Sequence, residues 1–324
     1  MRFKSVLSVA SVCVAVSLVA SGGAWAQQLD KVRAARLAFP AMGSMLLDVI
    51  TEKGIDKKHG FIVESVSQNA VPVYYGMAAN GDADIIVGGP NVFQKMILEG
   101  VPVKIFATWA PMQMISVISS DPSVKTLADL KGKSLAAAVG SAEYQVTAMY
   151  GRHLGLNFGK DVQVISAAPP LARSQLEADR VQASMLWEPT TTMALRDNPK
   201  FHVIMAGDAA WKAVAGRTGY NLVLAARDDY LKKNEKILPR LIAMLQEGQK
   251  FALENVDETD AILQRTLKMP AGVYKDAVKS GRLTFDVRPT TGPIRDTIWD
   301  MFKIAVDTKY LPKLPPEDAI YPAK

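Results

Sequence analysis

The stretch Asn80-Gly81-Asp82-Ala83-Asp84-Ile85-Ile86-Val87-Gly88-Gly89-Pro90-Asn91 decides the fold class. Asn80-Gly81 is a helix stop signal. Ala83 to Val87 is a short, almost continuous apolar run, the pattern of a parallel strand covered on both faces. Gly88-Gly89-Pro90-Asn91 turns the chain into a short helix carrying Val92, Phe93, Met96 and Ile97.

Reading outward, the same unit repeats. Upstream, Val32 to Phe39 is a strand, Pro40 to Ser44 a turn, and a helix starts at about Met45 with Leu46, Leu47, Val49 and Ile50 on one face. Phe61 to Val66 is a second strand. Asn69 is placed to cap a helix running from Pro72. Downstream, Val101 to Thr108 is the next strand. The alternation restarts at Ile115 to Ser119 and Ser134 to Val139, with a helix from about Ser141. Val162 to Ser166, Val181 to Trp187, Phe201 to Met205 and Leu222 to Ala226 are further strands. Leu238, Leu241, Ile242 and Leu245 mark a helical tail. Strand and helix at βαβ spacing imply parallel sheets, in two α/β units. Open α/β sheets bind ligands beyond the carboxyl ends of their strands, so two facing units would share one cleft.

The chain has 324 residues, 49% hydrophobic and 22% charged, which suits a folded protein with a large core. Met1-Arg2-Phe3-Lys4, the apolar run Val6 to Ala20 and Ala24-Trp25-Ala26 read as a signal peptide cleaved after Ala26. The run is shorter than the roughly 20 residues that span a bilayer. Cleavage removes Arg2 and Lys4 from a formal charge of +6, leaving a mild basicity too scattered for nucleic acid. Cys13, the only cysteine, lies in that segment. The mature chain is therefore expected to form no disulfide and to have no thiolate metal site or cysteine nucleophile.

Several strings, in order and spacing, resemble a known family. They are Lys53-Gly54-Ile55-Asp56-Lys57-Lys58-His59-Gly60-Phe61, Gly81-Asp82-Ala83-Asp84-Ile85, Glu99-Gly100-Val101-Pro102-Val103-Lys104, Leu127-Ala128-Asp129-Leu130-Lys131-Gly132-Lys133, Asp179-Arg180-Val181-Gln182-Ala183 and Leu186-Trp187-Glu188-Pro189. Together they resemble the periplasmic binding proteins of the NMT1/THI5-like group, which serve sulfonate, taurine, nitrate and thiamine-pyrimidine uptake. Gln182 stands where that family commonly has aspartate, and Pro40 to Ser44 lacks its usual polar or aromatic character.

The resemblance implies a bilobed type II periplasmic binding protein fold, two α/β lobes with parallel or mixed sheets joined by two crossovers, with a ligand cleft between them. Lobe one would hold 27–112 plus 228–324, and lobe two 113–227. It implies a monomer that passes a small organic, anionic or polar solute to the permease and ATPase of an ABC importer. The same fold also serves sensory or TRAP-type receptors, and the family contains a pyrimidine synthase. That enzyme's signature is rich in cysteine, unlike this chain.

Candidate ligand contacts follow from position. Gly88, Gly89, Pro90 and Asn91 offer free amides after a buried strand. Gly140, Ser141 and Ala142 hold the matching place in the second unit, with Ser141 suited to cap a helix. Glu143 follows in that helix's first turn, where it would oppose an anion if it faced the cleft. Trp187 and Glu188 lie past a strand end, and Trp187 could wall an aromatic ligand. Trp109, Phe39, Met42, Asn69 and Asn221 sit near strand ends or turns, while Arg173 and Arg217 could clamp an anion. His59, His153 and His202 fall in separate segments without metal-ligand spacing, and no phosphate loop or nucleophile elbow is present, so neither cofactor nor metal nor catalysis is expected.

Overall fold

The computed structural model describes residues 29–321; the expected signal peptide lies outside the described residues. In chain order the strands are β1 (Asp30–Leu37), β2 (Phe61–Gln68), β3 (Ile85–Gly88), β4 (Val103–Pro111), β5 (Ile115–Ser119), β6 (Ser134–Ala137), β7 (Gln163–Ser166), β8 (Ala183–Trp187), β9 (His202–Ala206) and β10 (Tyr220–Arg227). They form two five-stranded sheets with the same topology, ordered β2-β1-β3-β10-β4 and β7-β6-β8-β5-β9.

The quoted stretch becomes β3, buried at all four residues because helices cover the sheet on both faces. Both sheets are mixed, as the bilobed fold implied. β10 runs antiparallel to β3 and β4, and β5 runs antiparallel to β8 and β9. The reason is connectivity. Parallel neighbours need a crossover that returns the chain to the same end of the sheet. β5 and β10 are instead reached by segments passing between the sheets, so they start at the edge where β4 and β9 finish.

The first passage is the 3-10 turn Met112–Met114. The second follows the helix Gly207–Ala215, which Gly216 ends with φ 69°. Gly219 then passes against the Trp211 indole, where a Cβ would lie 2.4 Å from Nε1. Because that passage precedes Tyr220, β10 belongs to the first sheet, and the expected boundary of lobe two at 227 runs one strand too far. The C-terminal segments also pack on the first sheet. The helix Leu238–Glu254 lies against the helix Met42–Glu52, with Gly248 close to Ile50, and Pro289 and Ile320 bridge to β4.

Local boundaries differ in two informative places. The helix expected at Met45 starts at Met42, because the buried Ser44 hydroxyl satisfies itself on the Leu37 carbonyl at 3.0 Å without breaking the helix. Asn69 does not cap the helix Val71–Asn80; Ala70 occupies that place and no side chain bonds the free amides.

Candidate ligand-binding site

The ends of both sheets face one small cavity of about 50 Å³. From the first lobe it is lined by Arg36 and Leu37 at the end of β1, and by Ala41 to Ser44 at the start of the next helix. Val71, Tyr74 and Tyr75, Val87 of β3 and Leu222 of β10 complete that side. From the second lobe come Met114, Ser141, Glu143 and Trp187. These are strand ends and helix starts, the positions at which backbone groups and side chains converge in open α/β sheets.

The lining is mainly apolar with a few polar groups. Arg36 is half-buried and donates through Nη1 to Oδ1 of Asp48 at 2.6 Å, and more weakly through Nη2 to Oδ2 at 3.5 Å. Its Nε is buried without a partner. Burial pushes the Asp48 carboxyl up, against the attraction and hydrogen bonds of Arg36. Tyr74 donates its hydroxyl to the Val87 carbonyl at 2.5 Å, and the Tyr75 hydroxyl accepts from the Gly89 amide at 3.3 Å. Burial holds both phenols protonated, with the nearby Glu143 acting in the same direction.

Glu143 is the second lobe's counterpart. It sits in the first turn of the helix Ala142–His153, which Ser141 caps by accepting from the Tyr144 amide at 3.1 Å. Its Oε1 accepts from Nδ2 of Asn221 at 2.8 Å. Burial raises its carboxyl, while hydrogen bonds from Asn221, its own amide and Ser141 partly offset that rise; no cation contributes.

Of the residues expected to touch ligand, the cavity collects Met42, Ser141 and Trp187. Trp187 is 3% exposed and stacks on Phe39 across the two lobes, centroids 6.4 Å apart at 29°. Phe39 therefore acts behind the cavity wall. Asn221 likewise supports the wall through Glu143. Gly88, Gly89 and Pro90 do not line the cavity. Gly88 is packed under Tyr75 and Phe93, and Gly89 lies against Ala142, where a Cβ would come 2.2 Å from the Ala142 Cβ. Here the two expected glycine and alanine turns meet each other. Asn91 is buried beside them with its Oδ1 unpaired. Gly140 and Asn69 are exposed, away from the cavity.

Trp109 is fully buried in the first lobe, edge-on to Phe285 at 6.4 Å, because the segment that pairs with β4 covers it. Glu188 is 0% exposed and bonds the Arg282 Nε at 2.7 Å and the Thr192 amide at 3.3 Å, so it closes a second contact between the lobes. Arg173 pairs with Glu177 and Asp197, and Arg217 with Asp300; neither reaches the cavity. Sequence reasoning missed Arg36, Tyr74, Tyr75 and Leu222. Arg36 and Asp48 are 12 residues apart and meet only when the helix packs back on β1.

Among the described residues no group of three or more His, Cys, Asp or Glu could hold a metal ion, and no helix is long and apolar enough to cross a membrane.

The chain is similar in sequence to an Escherichia coli (strain K12) protein named "Putative aliphatic sulfonates-binding protein", 28% identical over 163 residues. That match covers 50% of this chain and about half, 48%, of the relative's own length. Two solved structures share the fold. The periplasmic aliphatic sulphonate binding protein SsuA from Escherichia coli aligns with TM-score 0.73 and 20% identity, over 91% of this chain and 93% of that one. The alkanesulfonate-binding protein SsuA from Xanthomonas axonopodis pv. citri, bound to MOPS, aligns with TM-score 0.76 and 17% identity, over 91% and 99%. The bilobed α/β architecture is thus that of periplasmic binding proteins. A family model described as NMT1/THI5 like matches residues 47–259, more than half of the chain, and the protein belongs to the NMT1/THI5-like family.

Proposed function

We propose that this protein is an exported solute-binding protein. It captures a small organic molecule between its lobes and hands it, chemically unchanged, to the permease of an ABC importer in the periplasm. The observation that carries this reading is the cavity lined from both lobes. A ligand there touches Arg36 on one side and Trp187 and Glu143 on the other only when the lobes are closed, so binding favours the closed form. The sulfonate-binding relatives and the leader-like residues 1–26 support the same reading.

The test is a thermal-shift panel on the purified chain lacking residues 1–26. The panel spans sulfonates, aromatic carboxylates, pyrimidines, amides and inorganic oxyanions. A ligand that binds only the folded state raises Tm by mass action. At least one class is expected to raise Tm and to drive compaction seen by small-angle scattering. No shift across the whole panel, or a chain found in the cytoplasm with residues 1–26 retained, overturns the proposal.

A further inference from the structure

The surroundings of Glu143 in the closed cavity are those of a neutral acid. The residue lines the cavity while only 5% exposed, in the first turn of the helix Ala142–His153. That helix end favours negative charge. Burial outweighs it, and no cation is among the groups acting on the carboxyl. The groups facing it are Ser141 at the start of its own helix, Asn221 of β10 and the protonated phenols of Tyr74 and Tyr75. Arg36, the only cation among the described residues lining the cavity, is held on Asp48 at 2.6 Å. Asn221 gives a second, independent sign. Its Nδ2 donates to Glu143 Oε1 at 2.8 Å, yet its Oδ1 is a buried acceptor without a donor. A protonated carboxyl has an O–H to give such an acceptor, and a carboxylate has none.

The opposite wall asks for negative charge. The helices Met42–Glu52 and Val71–Asn80 start there, after Ala41 and Ala70, and no side chain caps either one. Their free amides favour an anion. An anion held there beside an ionised Glu143 would bury two like charges in one dry site, which disfavours the charged form of the carboxyl. Resting on the solute-capture reading above, we infer that the lobes close on an anion only with a proton taken up by Glu143, so that this residue sets the pH dependence of capture. In the open form Asn221, Tyr74 and Tyr75 withdraw with the first lobe, and water reaches the carboxylate. On closure the carboxylate takes one proton from solvent, and its new O–H turns to Asn221 Oδ1. Anion and proton enter together, so the closed cavity gains no net charge.

The experiment is titration calorimetry of the chain lacking residues 1–26 with methanesulfonate, ethanesulfonate and nitrate. These probes are compact, as a cavity of about 50 Å³ requires when one water needs roughly 10–15 Å³. All three stay anionic across the pH range used, so any proton taken up belongs to the protein. Repeating the titration in buffers of different ionisation heat counts that proton. At about pH 7 the wild type is expected to take up about one proton per anion bound, and its affinity to fall by up to about tenfold per pH unit as pH rises from about 5.5 to about 7.5. Glu143→Gln is neutral at every pH, and its amide can both accept from and donate to Asn221. It should take up no proton, bind with a flat pH profile, and hold the anion tighter than the wild type at the upper end of the range. A merely structural role for Glu143 would weaken binding at every pH and leave the slope in place, which overturns the inference. Wild-type binding without proton uptake also overturns it, whether or not the variant folds, and leaves solute capture intact. Binding by none of the three probes overturns the inference too, and solute capture then stands or falls by the broader panel.

Discussion

Asn221 in β10 donates from Nδ2 to Oε1 of Glu143 at 2.8 Å, joining the first sheet to the first turn of a helix in the second lobe. Both side chains are buried, so the bond ties the closed arrangement to the protonation state of one carboxyl. Burial raises the Glu143 pKa above its ordinary value of 4.5. A group whose folded pKa is raised contributes stability that is fully present below the unfolded value and is lost as pH rises through the folded one. Thermal melts from about pH 4 to about pH 8 should therefore show Glu143→Gln gaining on the wild type as pH rises. A difference that stays flat with pH would show that Glu143 is not desolvated.

Gly89 touches Ala142 across the lobes, and its φ of −77° is one that any residue adopts. Gly89→Ala should therefore fold normally, because the added methyl strains nothing within its own lobe. It would meet the Ala142 Cβ at 2.2 Å only on closure. Ligand affinity is expected to fall at least about tenfold, roughly 1.4 kcal/mol, with scattering profiles that stay extended in saturating ligand. Adding Ala142→Gly should restore closure. Unchanged affinity in the single variant would show that the ligand-bound form does not bring these helices together.

Trp187 and Trp109 are both buried tryptophans, but only Trp187 lines the cavity. Trp187→Leu should weaken ligand binding several-fold. A double-mutant cycle with Phe39→Leu should show coupling of about 0.5–1.5 kcal/mol, the worth of a stacked aromatic pair. Trp109→Leu should lower the melting temperature strongly, by about 2–4 kcal/mol of stability, and leave affinity unchanged. Reversed effects would place the cavity elsewhere.

Glu188 is fully buried and its cation is Arg282, which comes from the C-terminal region on the first lobe. Arg282→Met leaves that carboxylate buried without a cation and should cost about 3 kcal/mol, measured by urea unfolding. Adding Glu188→Gln removes the stranded charge, so the double variant should recover most of the loss. If the double variant is no better than the single one, Arg282 acts through packing and not through charge.

Much of the architecture was legible in the residues. The strand periodicity, the buried run at Ile85–Gly88, the Ser141 cap and a tryptophan at the end of β8 are local properties, dictated by burial and backbone chemistry within a few residues. Strand direction was not. β10 is apolar for the same reason whether it runs with or against β3, and only the second passage between the sheets sets its direction and places it in the first lobe. The site divides in the same way. Met42, Ser141 and Trp187 could be picked out because strand ends and helix starts converge in such folds. Arg36 in an alternating strand looks like any solvated arginine until the helix Met42–Glu52 folds back and brings Asp48 to it. Gly89 looks like an anion-binding turn until the second lobe sets Ala142 against it. Sequence alone determined which segments are strands and helices, because that depends on neighbours along the chain. Which polar groups face the ligand was decided only by tertiary structure, because it depends on partners 12 to 78 residues away along the chain and on how the two lobes close.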